Sequence, residues 1–203
     1  MKIILATSNS GKVAELQTQL ADLGFTVHAQ NEFNISEAEE NGLTFIENAI
    51  IKARHASALT GLPSIADDSG LEVDQLNGAP GIYSSRYADR HNAGVGDDAN
   101  IDYLLAQLKA QQALTPQVRK ARFRCALVYM RHQYDPAPLI AEGIWEGVIA
   151  DARQGNNGFG YDPVFYIPDY QCTAAELPAD KKKAISHRGK ALTLLRDKLS
   201  ACQ

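Results

Sequence analysis

The first cluster of polar residues that could carry out chemistry lies near the start of the chain, between a short apolar run and a helical pattern. It consists of Thr7, Ser8, Asn9, Ser10, Gly11 and Lys12. Backbone N–H groups at a helix N-terminus, flanked by small residues and one lysine, can bind a phosphate group. The loop is not a Walker A motif, because the leading glycine is missing and Val13 replaces the required Ser or Thr. The alternative is an ordinary strand-to-helix turn with Lys12 in solvent.

Two pairs of adjacent carboxylates form the second and third clusters, Glu39-Glu40 and Asp67-Asp68. Mg²⁺ prefers hard carboxylate oxygens, usually from one or two side chains, and completes its shell with water and substrate phosphates. The two aspartates follow a buried strand, where an unpaired negative charge is costly without a cation. Each pair also has a simpler explanation, namely a solvated acidic loop for the glutamates and a turn with an Asx cap for the aspartates.

The fourth cluster combines an aromatic residue, a glycine and several hydrogen-bond donors. It comprises Phe159, Gly160, Tyr161 and Asp162, and further on Lys182, His187 and Arg188. An aromatic ring beside glycine offers a flat face for a nucleobase, and Arg and His can donate to carbonyl oxygens on the edge of that base. Taken singly, these residues fit a core phenylalanine, a solvated lysine and a capping histidine equally well. The four clusters together predict a nucleoside triphosphate site.

The elements that must position these clusters begin as an α/β fold. Ile3 to Ala6 and Phe25 to Ala29 are predicted strands, and the apolar residues between them recur at helical spacing. Thr44 and Glu47 have the spacing of a capping box, which predicts a long helix that ends at about Thr60.

The rest of the chain predicts a mixed sheet. Ser64 to Ala66 is a short strand that leads into Asp67, and Asp98 can cap a further helix. An antiparallel hairpin is expected from two extended segments, Ala121 to His132 and Pro138 to Ile149. A further strand is expected over Pro163 to Ile167, and a final helix over Ser186 to Leu199. With no repeat and no clear linker, residues 1–203 are predicted to form a single domain.

Composition limits the partners of this protein. Lys and Arg number 20 and Asp and Glu 24 among 203 residues, so the formal net charge is −4. A broad surface for a DNA or RNA strand would need a basic excess. Three widely spaced cysteines suggest neither a disulfide framework nor a zinc site. The first apolar run is too short for a signal peptide and no segment approaches a membrane span, so we expect a cytoplasmic protein without a membrane partner.

Longer motifs around the same clusters resemble the inosine triphosphate pyrophosphatase family, and specifically its bacterial dITP/XTP pyrophosphatases. The similar segments follow one another along nearly the whole chain: Ala6–Lys12, Glu40–Ala49, Ala66–Leu71, Asn77–Ser84, Gly158–Pro163 and Ser186–Gly189. The resemblance implies two α/β lobes around a long mixed twisted sheet, with the active site in the cleft between the lobes. It also implies a homodimer.

The activity implied by this resemblance is Mg²⁺-dependent hydrolysis of ITP, dITP and XTP to the monophosphate and pyrophosphate, which keeps deaminated purines out of DNA and RNA. By resemblance, Asp68 is the catalytic base and a metal ligand, and the second metal ligand is Glu39 or Glu40. The positions similar to the family's substrate-binding residues are Thr7 to Lys12, Lys52, Ser69, Phe159 to Asp162, Lys182, His187 and Arg188.

Two other functions compete with this one. The first is a pyrophosphatase for pyrimidine or modified triphosphates on a similar scaffold. The second is a nucleotide-binding module without activity, although a pure binder has no need of a base such as Asp68 beside a metal. Donors aimed at O6 of the purine would reject adenine, whose N6 amino group is itself a donor.

Overall fold

The computed structural model describes residues 1–113 and 115–202. Its seven strands are β1 (Lys2–Leu5), β2 (Thr26–Ala29), β3 (Ser64–Val73), β4 (Lys120–Met130), β5 (Leu139–Ile149), β6 (Phe165–Ile167) and β7 (Cys172–Thr173). Its α-helices are α1 (Ser10–Leu20), α2 (Phe45–Thr60), α3 (Asp97–Ala110), α4 (Ala179–Ile185) and α5 (His187–Ala201). Short 3₁₀ turns link several of them.

The strands form one mixed sheet in the order β2-β1-β3-β4-β5-β6-β7. β1 pairs in parallel with β2, where Ile3 lies opposite Val27, and with β3, where Ile4 lies opposite Ser64. β6 pairs antiparallel with both β5 and β7. The predicted mixed α/β fold, parallel early and antiparallel late, is therefore confirmed.

The chain divides into two compact units. The first unit contains Met1–Asp68, Cys125–Gly143 and the segment that starts at Gly189; the second unit contains Ser69–Arg124 and Ile144–Arg188. Each unit has its own apolar core. The single domain expected over residues 1–203 stays a prediction.

The core of the first unit lies where α1 and α5 pack their apolar faces with strand residues. Leu16 and Leu20 from α1 and Leu192 and Leu195 from α5 are buried in one cluster. Strand residues of the same cluster are Ile3, Leu5, Val27, Ile65 and Leu127. Burial of apolar area on this scale is the main stabilising contribution to such a unit.

The core of the second unit is built around aromatic residues. Phe123, Trp145 and Phe165 contact one another, with ring centroids 4.6 Å apart for Phe123 and Phe165 and 5.2 Å apart for Trp145 and Phe165. Leu104 and Leu108 of α3 belong to the same cluster. Offset or tilted aromatic pairs at these distances add to the free energy gained from burial.

Helix α2 begins where its cap was predicted. Thr44 has extended backbone angles, and its hydroxyl accepts the Glu47 N–H at 3.1 Å. The Glu47 carboxylate accepts the N–H of Leu43 at 2.8 Å, which completes the cap from the other side. Gly61 ends the helix with φ of +67°, a conformation that favours glycine.

Strand β3 is longer than predicted. It continues beyond Ala66 through both aspartates and ends at Val73. Polar residues in mid-strand look like a turn in the sequence, but here ion pairs and hydrogen bonds compensate their burial. Likewise α3 starts at Asp97, one residue before the predicted cap, because Gly96 with φ of +94° breaks the helix there.

No helix within the described ranges combines the length and the apolar character needed to cross a bilayer. The three cysteines, Cys125, Cys172 and Cys202, are free thiols.

Candidate active site

Asp67 and Asp68 lie side by side in β3 and are both buried. Because neighbouring residues of a strand point to opposite faces, the two carboxylates meet different partners. Asp67 pairs with Lys12 at 2.8 Å, and Asp68 pairs with Lys52 at 3.0 Å. Each buried negative charge is thus compensated by one lysine from a helix of the first unit.

Lys52 of α2 joins two of the predicted metal-binding residues. Its Nζ donates to Glu40 Oε1 at 2.9 Å and to Asp68 Oδ1 at 3.0 Å. Burial lowers the pKa of Lys52, but the negative charges of Asp68 and Glu40 outweigh burial and leave that pKa above its usual value. Lys52 is therefore a permanent cation at neutral pH.

The carboxyl group of Asp68 is held on both oxygens. Lys52 binds Oδ1, and the side-chain amide of Asn48 donates to Oδ2 at 3.2 Å. Burial raises the pKa of Asp68 above its ordinary range, and the charge of Lys52 offsets part of that rise. A carboxylate with a raised pKa is better suited to accept a proton near neutral pH.

The loop Thr7–Lys12, called the phosphate loop below, is folded by its own hydrogen bonds. The Asn9 side chain caps α1 and accepts the Lys12 N–H at 3.1 Å, and the Asn9 N–H donates to Thr7 Oγ1 at 3.2 Å. Gln30 supports the loop from outside, with its N–H on the Thr7 carbonyl at 3.3 Å. The residues in the middle of the loop, Ser8, Asn9, Ser10 and Gly11, are exposed.

A polar pocket of about 200 Å³ brings several of these residues together in the first unit. Its lining consists of Ala6, Thr7, Lys12, Gln30, Glu37, Ala38, Glu40, Lys52 and Asp67. Asp68 is not one of the lining residues, but it accepts a hydrogen bond from Lys52, which is. Glu39 is exposed, whereas Glu40 lines the pocket and pairs with Lys52, so of the two glutamates the geometry favours Glu40 as a ligand.

Glu40 at the pocket and Asp68 beside it offer carboxylate oxygens of the kind that a magnesium ion binds. Glu40 and Asp68 already share one positive group, the ammonium of Lys52. Among the described residues no group of three or more His, Cys, Asp or Glu could hold a metal on its own. Mg²⁺ commonly takes only one or two carboxylates and leaves its other positions to water and phosphate.

In the second unit, Phe159 presents a ring to solvent and is 76% exposed. The Nζ of Lys182 lies 5.0 Å from the centre of that ring and also pairs with the buried carboxylate of Asp162. Asp162 in turn accepts the Phe159 N–H at 2.8 Å. The ring and the cation are therefore oriented by one carboxylate, as a surface for a flat base with polar edges requires.

Glycine is needed next to Phe159 for steric reasons. Gly158 has φ of +81°, and a Cβ at this position would fall on the carboxylate of Asp162 and come within 3.0 Å of Lys182 Nζ. On the other side of Phe159, the Gly160 N–H donates to Asp97 at the start of α3, at 2.7 Å. The glycine-rich loop, residues 155–160, is thus anchored at both sides of Phe159.

The structure gives Tyr161 a supporting position. Its ring is buried and its hydroxyl donates to the Ser84 carbonyl at 2.9 Å. Burial raises the pKa of this phenol well above its usual value, so it stays protonated and keeps donating.

The remaining predicted residues lie at element ends. His187, the first residue of α5, stacks on Phe123 with centroids 4.8 Å apart and planes inclined by 15°. Arg188 follows it and is half-buried, and Ser69 is a half-buried residue of β3. The structure thus groups Phe159, Asp162 and Lys182, whereas His187 packs on the aromatic core.

Sequence reasoning missed three polar residues: Gln30 and Asn48 in the first unit, which contact the phosphate loop and Asp68, and Asp97 in the second unit, which contacts the glycine-rich loop. Asn48 left a recognisable signal, since it is a polar residue beside Phe45 and Ala49 on the buried face of α2 and precedes Lys52 by one turn. Gln30 and Asp97 left none, because polar residues at loop ends are ordinary.

The chain is similar to known proteins over nearly its whole length. A dITP/XTP pyrophosphatase of Vibrio cholerae is 59% identical over 194 residues, which are 96% of this chain and 94% of the relative. A HAM1 protein of Coxiella burnetii has a similar structure, with a TM-score of 0.92, 50% identity and 99% coverage of each chain. The Ham1 protein of Staphylococcus aureus superimposes with a TM-score of 0.88 at 38% identity over 100% of both chains.

The family assignment does not depend on one relative. The model of the Ham1 family matches residues 3–198, which includes the phosphate loop, both pairs of carboxylates and the glycine-rich loop. The resemblance inferred from the motifs is thereby confirmed, and this chain belongs to the Ham1 family.

Proposed function

We propose that this chain hydrolyses purine nucleoside triphosphates with a 6-oxo group, namely ITP, dITP and XTP, to the monophosphate and pyrophosphate. The observation that carries the proposal is the Glu40–Lys52–Asp68 arrangement beside the phosphate loop. It combines a buried candidate base with cations and hard oxygens. The Vibrio cholerae relative, a dITP/XTP pyrophosphatase, supports the same reaction.

Mg²⁺ is the cofactor of the proposed reaction, and Glu40 and Asp68 would hold it. When bound, the ion would neutralise charge on the phosphate oxygens and position a water molecule.

Asp68 accepts a proton from the attacking water as the water oxygen bonds to the α-phosphorus. The bond from that phosphorus to the bridging oxygen breaks, and its electron pair leaves with pyrophosphate. Lys12 and Lys52 compensate the charge that develops on the leaving group, and the N–H groups of the phosphate loop bind phosphate oxygens.

Base recognition is assigned to residues of the second unit. Phe159 provides the stacking face, and the donors Lys182, His187 and Arg188 are proposed to meet the 6-oxo edge of the base. Adenine presents an amino group at that edge, so donor would face donor. A buried mismatch of this kind can reduce kcat/KM by about 10⁴.

We propose a cytoplasmic homodimer that removes deaminated purines from the nucleotide pool. Three free cysteines support a reducing compartment. Sedimentation of the purified protein tests the dimer, since a species of single-chain mass at micromolar concentration contradicts it.

Product identification tests the reaction itself. The protein is incubated with ITP and Mg²⁺ and the products are resolved by ³¹P NMR. We expect IMP and pyrophosphate in equal amounts, and no turnover when Mg²⁺ is chelated. Formation of IDP and orthophosphate would overturn the proposal.

A further inference from the structure

Asn48 makes two side-chain hydrogen bonds at the bottom of the candidate site. It lies in the first part of α2, and its side chain is fully buried. Its Nδ2 donates to Asp68 Oδ2 at 3.2 Å, and its Oδ1 accepts the Gly42 N–H at 2.9 Å. Both polar atoms of the amide are therefore hydrogen-bonded, Nδ2 to strand β3 and Oδ1 to the loop that carries Glu40.

The bond to Asp68 is one half of a clamp. Asn48 and Lys52 are one helical turn apart and lie on the same face of α2. Lys52 binds Oδ1 of the Asp68 carboxylate at 3.0 Å, and Asn48 binds Oδ2. Two donors from one rigid helix thus fix the plane in which the carboxylate lies.

The bond to Gly42 connects Asn48 with the other proposed metal ligand. Gly42 follows Glu40 by two residues. Its backbone lies so close to α2 that a Cβ would stand 2.7 Å from the Cβ of Glu47 and 2.8 Å from Asn48 Oδ1. The loop that carries Glu40 is therefore seated directly on the amide that holds Asp68.

We propose that Asn48 is a positioning residue that sets the geometry between Glu40 and Asp68. This inference rests on the proposed function. Asn48 does not touch the reacting atoms; it acts through the Asp68 carboxylate and through the backbone of Gly42. Residues that orient metal ligands in this way typically contribute 10- to 100-fold to metal affinity or activity.

The test uses two variants that remove both hydrogen bonds. Asn48→Ala shortens the side chain, and Asn48→Leu keeps most of its volume, so that a packing effect can be separated from a loss of hydrogen bonds. Mn²⁺ binding to the protein without nucleotide is measured by electron paramagnetic resonance, and kcat and KM for ITP are measured at saturating Mg²⁺. We expect the Kd for Mn²⁺ to rise about tenfold and kcat to fall about tenfold, with KM changed less than threefold.

Asn100→Ala is the matched control. Asn100 is also a buried helical asparagine that bridges two segments, with its Oδ1 on the Ala88 N–H at 2.8 Å and its Nδ2 on the Ser85 carbonyl at 3.1 Å. It belongs to the second unit, so its loss is expected to lower the melting temperature without changing the Kd for Mn²⁺.

Three results would overturn the inference. The first is a folded Asn48→Ala protein with Kd for Mn²⁺ and kcat within twofold of wild type. The second is an equal rise of that Kd in Asn100→Ala. The third is failure of both Asn48 variants to fold while Asn100→Ala folds, because the role of Asn48 would then be stability alone. An inactive wild-type protein would instead refute the proposed function. The Mn²⁺ titration would still show whether Asn48 affects metal binding.

Discussion

At the scale of single residues, Lys52 decides how the candidate site is charged. Its ammonium lies 2.9 Å from Glu40 and 3.0 Å from Asp68, so the two acids share one cation. Without it, two carboxylates in a partly buried pocket would repel each other and one would bind a proton. The same two oxygen donors would bind a divalent ion once substrate phosphates complete its shell.

Asp68→Asn tests the base. The amide keeps the shape of the side chain but cannot accept the proton of the attacking water, so we expect kcat for ITP to fall by about 10²- to 10⁴-fold. Steady-state kinetics measures the loss, and circular dichroism checks the fold. Activity within tenfold of wild type would remove Asp68 from the role of base.

Glu40→Gln tests which glutamate binds the metal. Because the amide carries no negative charge, we expect the Mg²⁺ concentration that gives the half-maximal rate to rise by about tenfold or more. Glu39→Gln serves as the neighbouring comparison, and its effect is expected to be clearly smaller because Glu39 is exposed. A larger effect at Glu39 would reverse the assignment.

At the scale of elements, the start of α3 holds the glycine-rich loop. Asp97 accepts the Gly160 N–H at 2.7 Å. Asp97→Ala leaves this N–H without its acceptor, so we expect Phe159 to be held less firmly and KM for ITP to rise several-fold with little change in kcat. Asp98→Ala is the control, since Asp98 is highly exposed and its carboxylate lies 3.5 Å from Arg153. Equal KM values for the two variants would contradict this role of Asp97.

The connection between β4 and β5 depends on one buried carboxylate. Asp135 accepts the N–H groups of Arg131 at 3.0 Å and Ala137 at 3.1 Å and pairs with the Arg131 guanidinium. The hydrogen bond from Arg131 holds the pKa of Asp135 far below its usual value. A depressed pKa means that the stabilisation is fully present above the unfolded-state pKa of about 3.9 and is lost as pH falls below it.

Asp135→Asn is therefore expected to lower the free energy of unfolding by about 1–3 kcal/mol at pH 7. The difference from wild type is expected to stay constant down to about pH 5 and to shrink below pH 4. Urea unfolding at a series of pH values measures it. If the difference in free energy of unfolding between wild type and Asp135→Asn grew as the pH fell, this role of Asp135 would be contradicted.

Some elements of this fold could be predicted from the sequence and others could not. The cap at Thr44 and the strand before the phosphate loop follow from local spacing, and the structure has both within one residue of the predicted positions. The extension of β3 through Asp67 and Asp68 could not be foreseen, because it depends on Lys12 and Lys52, which are distant in sequence. The role of Asn48 was hidden for the same reason, since both its partners lie outside α2.

At the scale of the whole molecule, the net charge of −4 is compatible with an anionic substrate because the cations are local. Lys12 and Lys52 stand in the first unit beside the acids, and Lys182 stands in the second unit beside Phe159. The proposal assigns phosphate chemistry to the first unit and base recognition to the second. The choice between nucleotides should therefore depend on the base, whereas hydrolysis itself involves only the phosphates.

The most direct test of the proposed function compares ITP, ATP and dTTP as substrates, with Mg²⁺ present and the products identified. We predict that kcat/KM for ITP exceeds that for ATP by about 10⁴, and that each molecule of ITP gives one IMP and one pyrophosphate. A preference for dTTP would favour the alternative of a pyrimidine pyrophosphatase. Equal rates for ITP and ATP, or tight binding of ITP without turnover, would contradict the account.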